Sequence, residues 1–217
     1  MTALPCLTTF AWVPEFARGF VRDLRARWAF EEVGQPYELN LIRDAKTPEH
    51  RRVQPFGQVP TYKDDEVEMF ESGAIVIRIA ERAGKLIPAD PVGRMKALQW
   101  VAAALNTVEP SVLQIAANEV FEADRSWSAD RRPVVVANLE KRLQALEDYL
   151  GDRTWLEGDE FTIGDLTMIS VLGGLRGRNL LNAFPRVAAY VARGEARPAH
   201  RKAMADHLAT FEEAVAA

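Results

Sequence analysis

Cysteine is nearly absent from this chain, since Cys6 is the only one among 217 residues. A single thiol excludes an internal disulfide framework and any cluster of thiolate metal ligands. Histidine is scarce as well, and the three histidines, His50, His200 and His207, are too scattered for a zinc-binding signature. We therefore expect a protein without a metal site.

Long apolar runs and an excess of basic charge are also missing. Lys and Arg number 27 against 31 Asp and Glu, a net charge of −4, which leaves no bulk electrostatic footprint for nucleic acid. The longest charge-free run, residues 1–14, contains two prolines and is too short to span a membrane. The first twenty residues lack a basic segment followed by an apolar block, so no export signal is predicted. These absences predict a cytoplasmic globular protein of one large or two small domains.

The first 84 residues alternate strand-like and helix-like segments. Helices are predicted at residues 16–33, where apolar residues recur at four-residue spacing, and at 73–83, capped by Ser72. Gly34 and Gly84 stand where the residue after a helix is often glycine. Strands are predicted at residues 7–12, 37–42, 59–62 and 67–70, the last two as an antiparallel pair. The predicted order is βαβ, then a short helix, then ββα.

Nothing clearly strand-like follows residues 88–93. A long helix is predicted from residue 95 to about residue 123, kinked or broken at Pro110. Pro133 suits the first turn of another helix. Further helices are predicted to begin at Thr162, Pro185 and Pro198. Thr162 with Asp165 resembles a capping box, whose function is to begin a helix rather than to bind a ligand.

Four local strings link this pattern to a known family. They are Gly-Gln-Val-Pro-Thr-Tyr at 57–62, Phe-Glu-Ser-Gly-Ala-Ile at 70–75, Phe-Thr-Ile-Gly-Asp at 161–165 and Phe-Pro-Arg-Val-Ala-Ala-Tyr at 184–190. Together they make the chain resemble the cytosolic glutathione transferase superfamily. The resemblance implies an α/β plus all-α fold, with a thioredoxin-like glutathione-binding domain at 1–85 and an all-helical domain at 92–217. The helical domain would supply the wall for a second, usually hydrophobic, substrate, and a homodimer is implied.

The resemblance also implies which residues bind glutathione. In the family, the proline of the Val59-Pro60 pair is cis, and the residue before it pairs through its backbone with the cysteinyl part of glutathione. Gln58 belongs to the same implied set. A free γ-glutamyl end needs an acceptor for its ammonium, for which Glu71 is suited, and donors for its carboxylate, which Ser72 and the first helical turn supply. The alternatives are an ordinary trans proline and a Ser72 that only caps its helix.

The usual catalytic residue is missing. Glutathione transferases usually place a Tyr, Ser or Cys at the end of the first strand or the start of the first helix. That group stabilises the glutathione thiolate or, when it is Cys, forms a mixed disulfide. Residues 10–22 contain none of the three, and Phe20 and Val21 fall near the catalytic position when residues 27–34 are aligned with the end of the family's first helix. The pattern is similar to bacterial transferases of an eta-like kind.

Other groups are candidates for stabilising the thiolate. Arg18, Arg22 and Arg25 have the spacing of one helix face, and a nearby guanidinium lowers the pKa of a thiol. Thr9 offers a hydroxyl on the first strand, and Arg176 or Arg178 offers a cation from the helical domain. We predict that Arg18, Phe20 and Thr9 occupy the catalytic position. The alternative for the arginines is a solvated face paired with neighbouring acids.

Aromatic residues point to a second-substrate pocket, for which we predict Trp12, Phe16, Trp100 and Arg176 as lining residues. The alternative for the aromatic residues is that they belong to the core. Cys6 precedes the first strand and is expected at the far end of the sheet from the catalytic position. The predicted function is a transferase-like detoxification enzyme that conjugates glutathione to small electrophiles or reduces organic hydroperoxides. The alternative is a non-catalytic carrier or interaction protein of the same fold.

Overall fold

The computed structural model describes residues 3–216, with side chains described as far as Glu212. The chain divides into two compact units, the first made of Met1–Ile87 with Arg197–Ala217 and the second of Pro88–Ala196. The last helix, α9 (Pro198–Ala216), therefore groups with the first unit, whereas the sequence-based boundary placed residues 92–217 together.

Helix α9 groups with the first unit because it packs along the first helix, α1 (Asp23–Val33). The Arg197 guanidinium donates two hydrogen bonds, of 2.5 and 2.6 Å, to the Glu32 carboxylate of α1. The Trp28 ring of α1 meets the His200 ring edge-on, with centroids 4.7 Å apart. These contacts cover one side of α1 with residues that come last in the chain.

The first unit is built on a four-stranded sheet in the order β2-β1-β3-β4, as far as the described residues extend. The sheet pairs β1 with β2 in parallel and the other neighbours antiparallel, which confirms the predicted βαβ and ββα order. The strands are β1 (Cys6–Phe10), β2 (Glu38–Ile42), β3 (Thr61–Lys63) and β4 (Glu68–Phe70). The remaining helices of this unit are α2 (Pro48–Arg51) and α3 (Ser72–Ala83).

Strand register brings three segments to one end of the sheet. Thr61, the first residue of β3, pairs with Thr8 of β1 on one side and with Phe70 of β4 on the other. Both pairings are antiparallel, so the residues before Thr61 and after Phe70 extend towards the end at which β1 finishes. This end therefore gathers the Val59-Pro60 peptide, the start of α3 and the loop that follows β1.

Helices α1 and α3 end as predicted. Gly34 has φ 73° and Gly84 has φ 61°, the left-handed conformation that glycine adopts at low cost after a helix. Both helices contribute fully buried side chains to the core of this unit: Ala26, Trp28, Phe30, Ile75, Val76 and Ile79. This burial holds the two helices against the sheet.

The start of α1 differs from the prediction. The sequence pattern predicted a helix from residue 16, but the chain forms a short 3-10 turn at Glu15–Ala17 and α1 begins only at Asp23. Between them Arg18 is extended, with ψ 133°, and Gly19 has φ 79°, a conformation outside the right-handed helix. The expectation that Arg18 shares a helix face with Arg22 and Arg25 is therefore wrong.

The second unit is helical over the described residues, apart from turns and one isolated bridge. Its helices are α4 (Pro91–Ala103), α5 (Glu109–Ala116), α6 (Ser128–Leu150), α7 (Ile163–Leu172) and α8 (Pro185–Glu195). A π-helical turn at Ala104–Val108 separates α4 from α5, which confirms the predicted break near Pro110. Pro133 lies inside α6 rather than in its first turn, because this helix already begins at Ser128.

The predicted capping box at the start of α7 is confirmed. The Gly164 N–H donates to Thr162 Oγ1 at 3.2 Å, and the Thr162 N–H donates to Asp165 Oδ2 at 2.9 Å. The other carboxylate oxygen of Asp165 accepts from the Leu156 N–H and from the Tyr190 hydroxyl. Asp165 thus ties three parts of the second unit together.

Two absences apply to the described part of the chain. Among its helices, none has the combination of length and apolar character that crossing a membrane requires. Among residues 3–212, whose side chains are described, no three His, Cys, Asp or Glu residues group in a way that would hold a metal ion.

Candidate functional site

The peptide between Val59 and Pro60 is cis, as the resemblance implied. Pro60 is buried and Val59 is half-buried, so the backbone before the proline lies near the surface. Gln58 has an exposed side chain.

The backbone that leads to Val59 is held on both sides by side chains that the sequence analysis did not select. The Gln58 N–H donates to Gln54 Oε1 at 3.3 Å, and the Gln58 carbonyl oxygen lies 2.7 Å from His50 Nε2. Gln54 is buried and also accepts from the Phe56 N–H at 2.7 Å. These contacts fix the direction in which Val59 presents its peptide groups. A glutamine that precedes a Pro-Phe-Gly turn was the available sequence signal.

Glu71 and Ser72 stand at the start of α3, at the same end of the sheet. Glu71 is exposed and has φ 73°, a left-handed conformation that costs a non-glycine residue about 1–3 kcal/mol. Ser72 is buried and forms the first residue of the helix. The expectation that the Ser72 side chain caps the helix is wrong, because the cap position is Glu71 and no side chain caps the helix there.

The Ser72 hydroxyl faces a buried arginine instead. Arg25 Nη1 donates to Ser72 Oγ at 3.1 Å, and the Arg25 residue is only 5% exposed. A guanidinium beside the first turn of α3 adds positive potential where the helix dipole is already positive. From the sequence, Arg25 was predicted only as one of three arginines at the spacing of a helix face. The arrangement favours a carboxylate at this helix start.

Three aromatic residues are exposed in the segment between β1 and α1. Trp12 is 52%, Phe16 55% and Phe20 42% exposed, which is unusual for side chains of this size. Phe20 has no group that could donate a hydrogen bond to sulfur or accept its proton. The segment therefore offers an apolar surface next to the end of β1.

The two other candidates for the catalytic position differ in exposure. Thr9 is fully buried, and its Oγ1 has no hydrogen-bond partner among the described residues. A ligand at the surface does not reach this hydroxyl. Arg18 is half-buried and its Nε is a buried donor that likewise lacks a partner within the described chain. Of the two, Arg18 is the one that is partly exposed and carries a charge that can act on an anion at the surface.

Trp100 and Arg176 lie in the second unit, and both have partners there. Trp100 Nε1 donates to Glu157 Oε1 at 2.7 Å, and its ring packs on Tyr149 with centroids 4.8 Å apart. Arg176 Nη2 forms an ion pair of 2.6 Å with Glu195.

Cys6 begins β1, at the opposite end of the strand from the candidate site. Burial and the nearby Glu38 carboxylate raise the pKa of its thiol, which makes the reactive thiolate scarcer. A raised pKa and this position are the reverse of what a catalytic cysteine requires.

Each of the two units matches a domain of known proteins. Residues 24–86 match the model of the glutathione S-transferase N-terminal domain, and residues 98–193 match that of the glutathione S-transferase C-terminal domain. Glutathione S-transferase 1 of Zea mays is 32% identical over 201 residues, which cover 83% of this chain and 90% of that protein. Glutathione S-transferase 4 of Zea mays is 29% identical over 212 residues, 92% of each chain.

Solved structures show the same architecture. A glutathione transferase from Burkholderia graminis, crystallised with two glutathione molecules bound per subunit, is 28% identical with a TM-score of 0.80. The match covers 93% of this chain and 87% of that one. Poplar glutathione transferase F1 has a TM-score of 0.82 over 94% of this chain and 98% of its own, at 23% identity, and shows the fold alone.

Proposed function

Since the chain belongs to the glutathione S-transferase family, we propose that it binds glutathione at the end of the sheet where β1 finishes and transfers its sulfur to a small substrate. One observation carries this proposal. The Val59-Pro60 peptide and the Glu71-Ser72 pair are separate in sequence, and strand register brings them to the same end of the sheet. Arg25 adds a buried cation at that place.

Each end of the tripeptide has a matching group. The Val59 backbone pairs with the cysteinyl residue in the manner of an added strand. The exposed Glu71 carboxylate accepts the γ-glutamyl ammonium, and Ser72 with the first turn of α3 binds the γ-glutamyl carboxylate. Arg25 supports this anion from behind the Ser72 hydroxyl. Gln54 and His50 keep the Val59 backbone in place, and the Gln58 side chain remains a predicted contact.

The chemistry requires the glutathione thiol to lose its proton near neutral pH, although a free thiol has a pKa of about 8.5. We assign this role to the Arg18 guanidinium, whose charge favours the thiolate over the thiol. The thiol proton leaves to solvent. In conjugation, the thiolate forms a carbon–sulfur bond and the leaving group departs with the bonding electron pair. No covalent bond to the protein is formed.

Hydroperoxide reduction follows from the same thiolate. Sulfur attacks the terminal peroxide oxygen, the oxygen–oxygen bond breaks, and the alcohol leaves after taking up a proton. A second glutathione then attacks the glutathione sulfenic acid, which gives glutathione disulfide and water. The crystallised relative from Burkholderia graminis binds two glutathione molecules per subunit, which supports the proposal that a second glutathione can bind beside the first.

The second substrate in this proposal is small and apolar. The exposed rings of Trp12, Phe16 and Phe20 support it, because apolar substrates are bound mainly by aromatic and aliphatic surface. Trp100 and Arg176 remain predicted lining residues. The proposal also includes a cytoplasmic homodimer and membership of a bacterial, eta-like class, for which the absence of Tyr, Ser and Cys from residues 10–22 is the support.

An ultraviolet titration tests the proposal by following thiolate absorbance of glutathione bound to the protein from mildly acidic to mildly alkaline pH. We expect a bound-thiol pKa at least about 1 unit below that of free glutathione. Arg18→Gln should raise that pKa back towards the free value, whereas Arg18→Lys should keep most of the shift. Binding with an unshifted pKa in the unmodified protein would favour the carrier function. Absence of binding would contradict the proposed site.

A further inference from the structure

Helix α9 reaches the segment between β1 and α1 through a buried histidine. The Gly19 N–H donates to His207 Nε2 at 3.2 Å, and His207 Nδ1 lies 3.3 Å from Asp23 Oδ2. The His207 side chain is fully buried, and Phe211 packs edge-on against its ring with centroids 4.8 Å apart. One imidazole therefore contacts both the segment and the first residue of α1.

These contacts determine which nitrogen carries the proton. A backbone N–H can only donate, so Nε2 must be the unprotonated nitrogen that accepts from Gly19. The proton of a neutral ring is then on Nδ1, where it is donated to the Asp23 carboxylate. The hydrogen-bond pattern thus assigns His207 as the neutral Nδ1–H tautomer.

Asp23 is also bound by a second group. Arg27 Nε donates to Asp23 Oδ2 at 2.7 Å, and all three side chains are fully buried. Burial raises the pKa of Asp23, but the hydrogen bonds from His207 and Arg27 and the charge of Arg27 lower it further, so that the net shift is downwards. The Asp23 carboxylate and the Arg27 guanidinium balance each other, and the cluster with a neutral His207 carries no net charge.

Stability alone does not account for this cluster. Asp23 Oδ1 and Arg27 Nη2 are buried without a hydrogen-bond partner among the described residues, and such atoms destabilise the folded state. Apolar side chains of similar volume often replace a buried ion pair without loss of stability. What apolar side chains would not supply is an acceptor for the Gly19 N–H. That residue has φ 79° and stands directly between Arg18 and Phe20.

We propose that His207 is a positioning residue for catalysis, which holds Gly19 so that Arg18 and Phe20 keep their places beside the glutathione sulfur. Asp23 fixes the tautomer that makes this possible, and Arg27 fixes Asp23. This inference rests on the proposed function, because it assumes that the segment from Arg18 to Phe20 faces the thiol. It adds a requirement for a residue of α9, which is distant in sequence from every proposed ligand contact.

Two substitutions separate the two hydrogen bonds of the ring. His207→Asn keeps an amide donor near the Nδ1 position for Asp23 but loses the acceptor for Gly19. His207→Gln places an amide oxygen near the Nε2 position, which retains an acceptor for Gly19. We expect His207→Asn to lower kcat by roughly tenfold to a hundredfold, as misplaced catalytic groups do, with the KM for glutathione nearly unchanged. His207→Gln should recover most of kcat.

The thiolate absorbance of bound glutathione is the readout that a purely structural role would not separate. We expect the bound-thiol pKa to rise in His207→Asn and to stay near the unmodified value in His207→Gln. Equal loss in both variants, in proportion to their melting temperatures, would overturn the positioning role. So would unchanged kcat in His207→Asn. Failure of the unmodified protein to bind glutathione by calorimetry would instead overturn the proposed function.

A measurement on the unmodified protein keeps the inference testable if both variants fail to fold. Nitrogen-15 chemical shifts of the imidazole distinguish a protonated Nδ1 from a protonated Nε2. We expect the Nδ1–H tautomer, together with slow hydrogen exchange at the Gly19 amide. A proton on Nε2, or fast exchange of that amide, would show that His207 does not hold Gly19.

Discussion

Arg25 Nη1 and Ser72 Oγ are 3.1 Å apart, in a contact that joins the first turn of α1 to the first residue of α3. Both side chains are buried, so solvent screens the charge of the guanidinium only weakly. A γ-glutamyl carboxylate bound by Ser72 would lie within the field of this cation. The same contact that packs α1 against α3 should therefore also strengthen the binding of the ligand.

Arg25→Met tests this relationship, since methionine retains length but removes charge and donors. We expect the dissociation constant for glutathione to rise roughly ten- to hundredfold, because a hydrogen bond to a charged group contributes about 1.5–3 kcal/mol. Isothermal titration calorimetry measures the change. Arg25→Lys is the control that keeps the positive charge and should lose less. An unchanged dissociation constant in a folded Arg25→Met variant would remove Arg25 from the site.

Glu71 should show opposite effects on stability and on binding. Its φ of 73° suits glycine, so Glu71→Gly is expected to raise the free energy of unfolding by about 1 kcal/mol. The same variant loses the acceptor for the ligand ammonium, and its affinity for glutathione should fall. Urea unfolding and calorimetry measure the two quantities. Glu71→Gln keeps a side chain at this φ, so it should weaken binding without the gain in stability.

Thr9→Val is expected to stabilise the chain. Valine has nearly the shape of threonine and removes a buried hydroxyl whose Oγ1 has no partner among the described residues. The free energy of unfolding should rise by about 1 kcal/mol, and the melting temperature by about 2–4 °C for a protein of this size. Thr8→Val is the matched control, because Thr8 Oγ1 accepts from Asn40 Nδ2 at 3.2 Å. A lower kcat in Thr9→Val would instead show that the Thr9 hydroxyl takes part in catalysis.

The Asp64 carboxylate should make stability depend on pH in the acid range. It accepts from Arg78 Nε at 2.9 Å, from the Tyr62 hydroxyl at 2.7 Å and from the Glu66 and Val67 N–H groups at 2.8 Å. Burial raises its pKa, but these hydrogen bonds lower it further, to well below the ordinary value. The ionised Asp64 carboxylate therefore stabilises the folded state. This contribution is fully present only above the pKa of the unfolded carboxyl, about 3.9.

Asp64→Asn tests that dependence. The urea midpoint of the variant should be lower than that of the unmodified protein at neutral pH. The difference should shrink as the pH falls below about 3.9, where the unfolded carboxyl takes up its proton. Asp65→Asn serves as the control, since this more exposed carboxylate pairs with Arg82 at the surface and surface ion pairs contribute little. A difference that stays constant down to about pH 2 would contradict the assignment.

Local sequence signals predicted the elements well where one interaction decides the conformation. Gly34 and Gly84 end their helices with left-handed φ, and Thr162 begins α7 by forming a capping box with residues that follow it directly in sequence. The start of α1 was mispredicted because apolar spacing continues through Phe16 and Phe20, while the backbone of Gly19 turns away from the helix. Apolar spacing indicates which residues face the core, but it does not indicate where a glycine interrupts the helical backbone.

The sequence predicted the binding motifs of the candidate site, but it did not predict the buried residues that hold these motifs in place. Val59-Pro60 and Glu71-Ser72 are contiguous strings that a resemblance identifies. Arg25 meets Ser72 across 47 positions of sequence, and Gly19 meets His207 across 188. No local spacing encodes such contacts, because they depend on how separate elements pack. Buried polar groups of this kind had to be read from the structure.

The grouping of α9 with the first unit also constrains the order in which the chain is made. The sheet, α1 and α3 leave the ribosome early, but the helix that completes their packing follows the whole of Pro88–Ala196. The first unit is therefore completed only after the helical unit has been synthesised, and its completion requires the closure of a long loop. Until then, one side of α1 lacks the side chains that cover it in the native state. A ribosome-bound nascent chain that ends before Arg197 should thus present an incomplete site, however well its strands have formed.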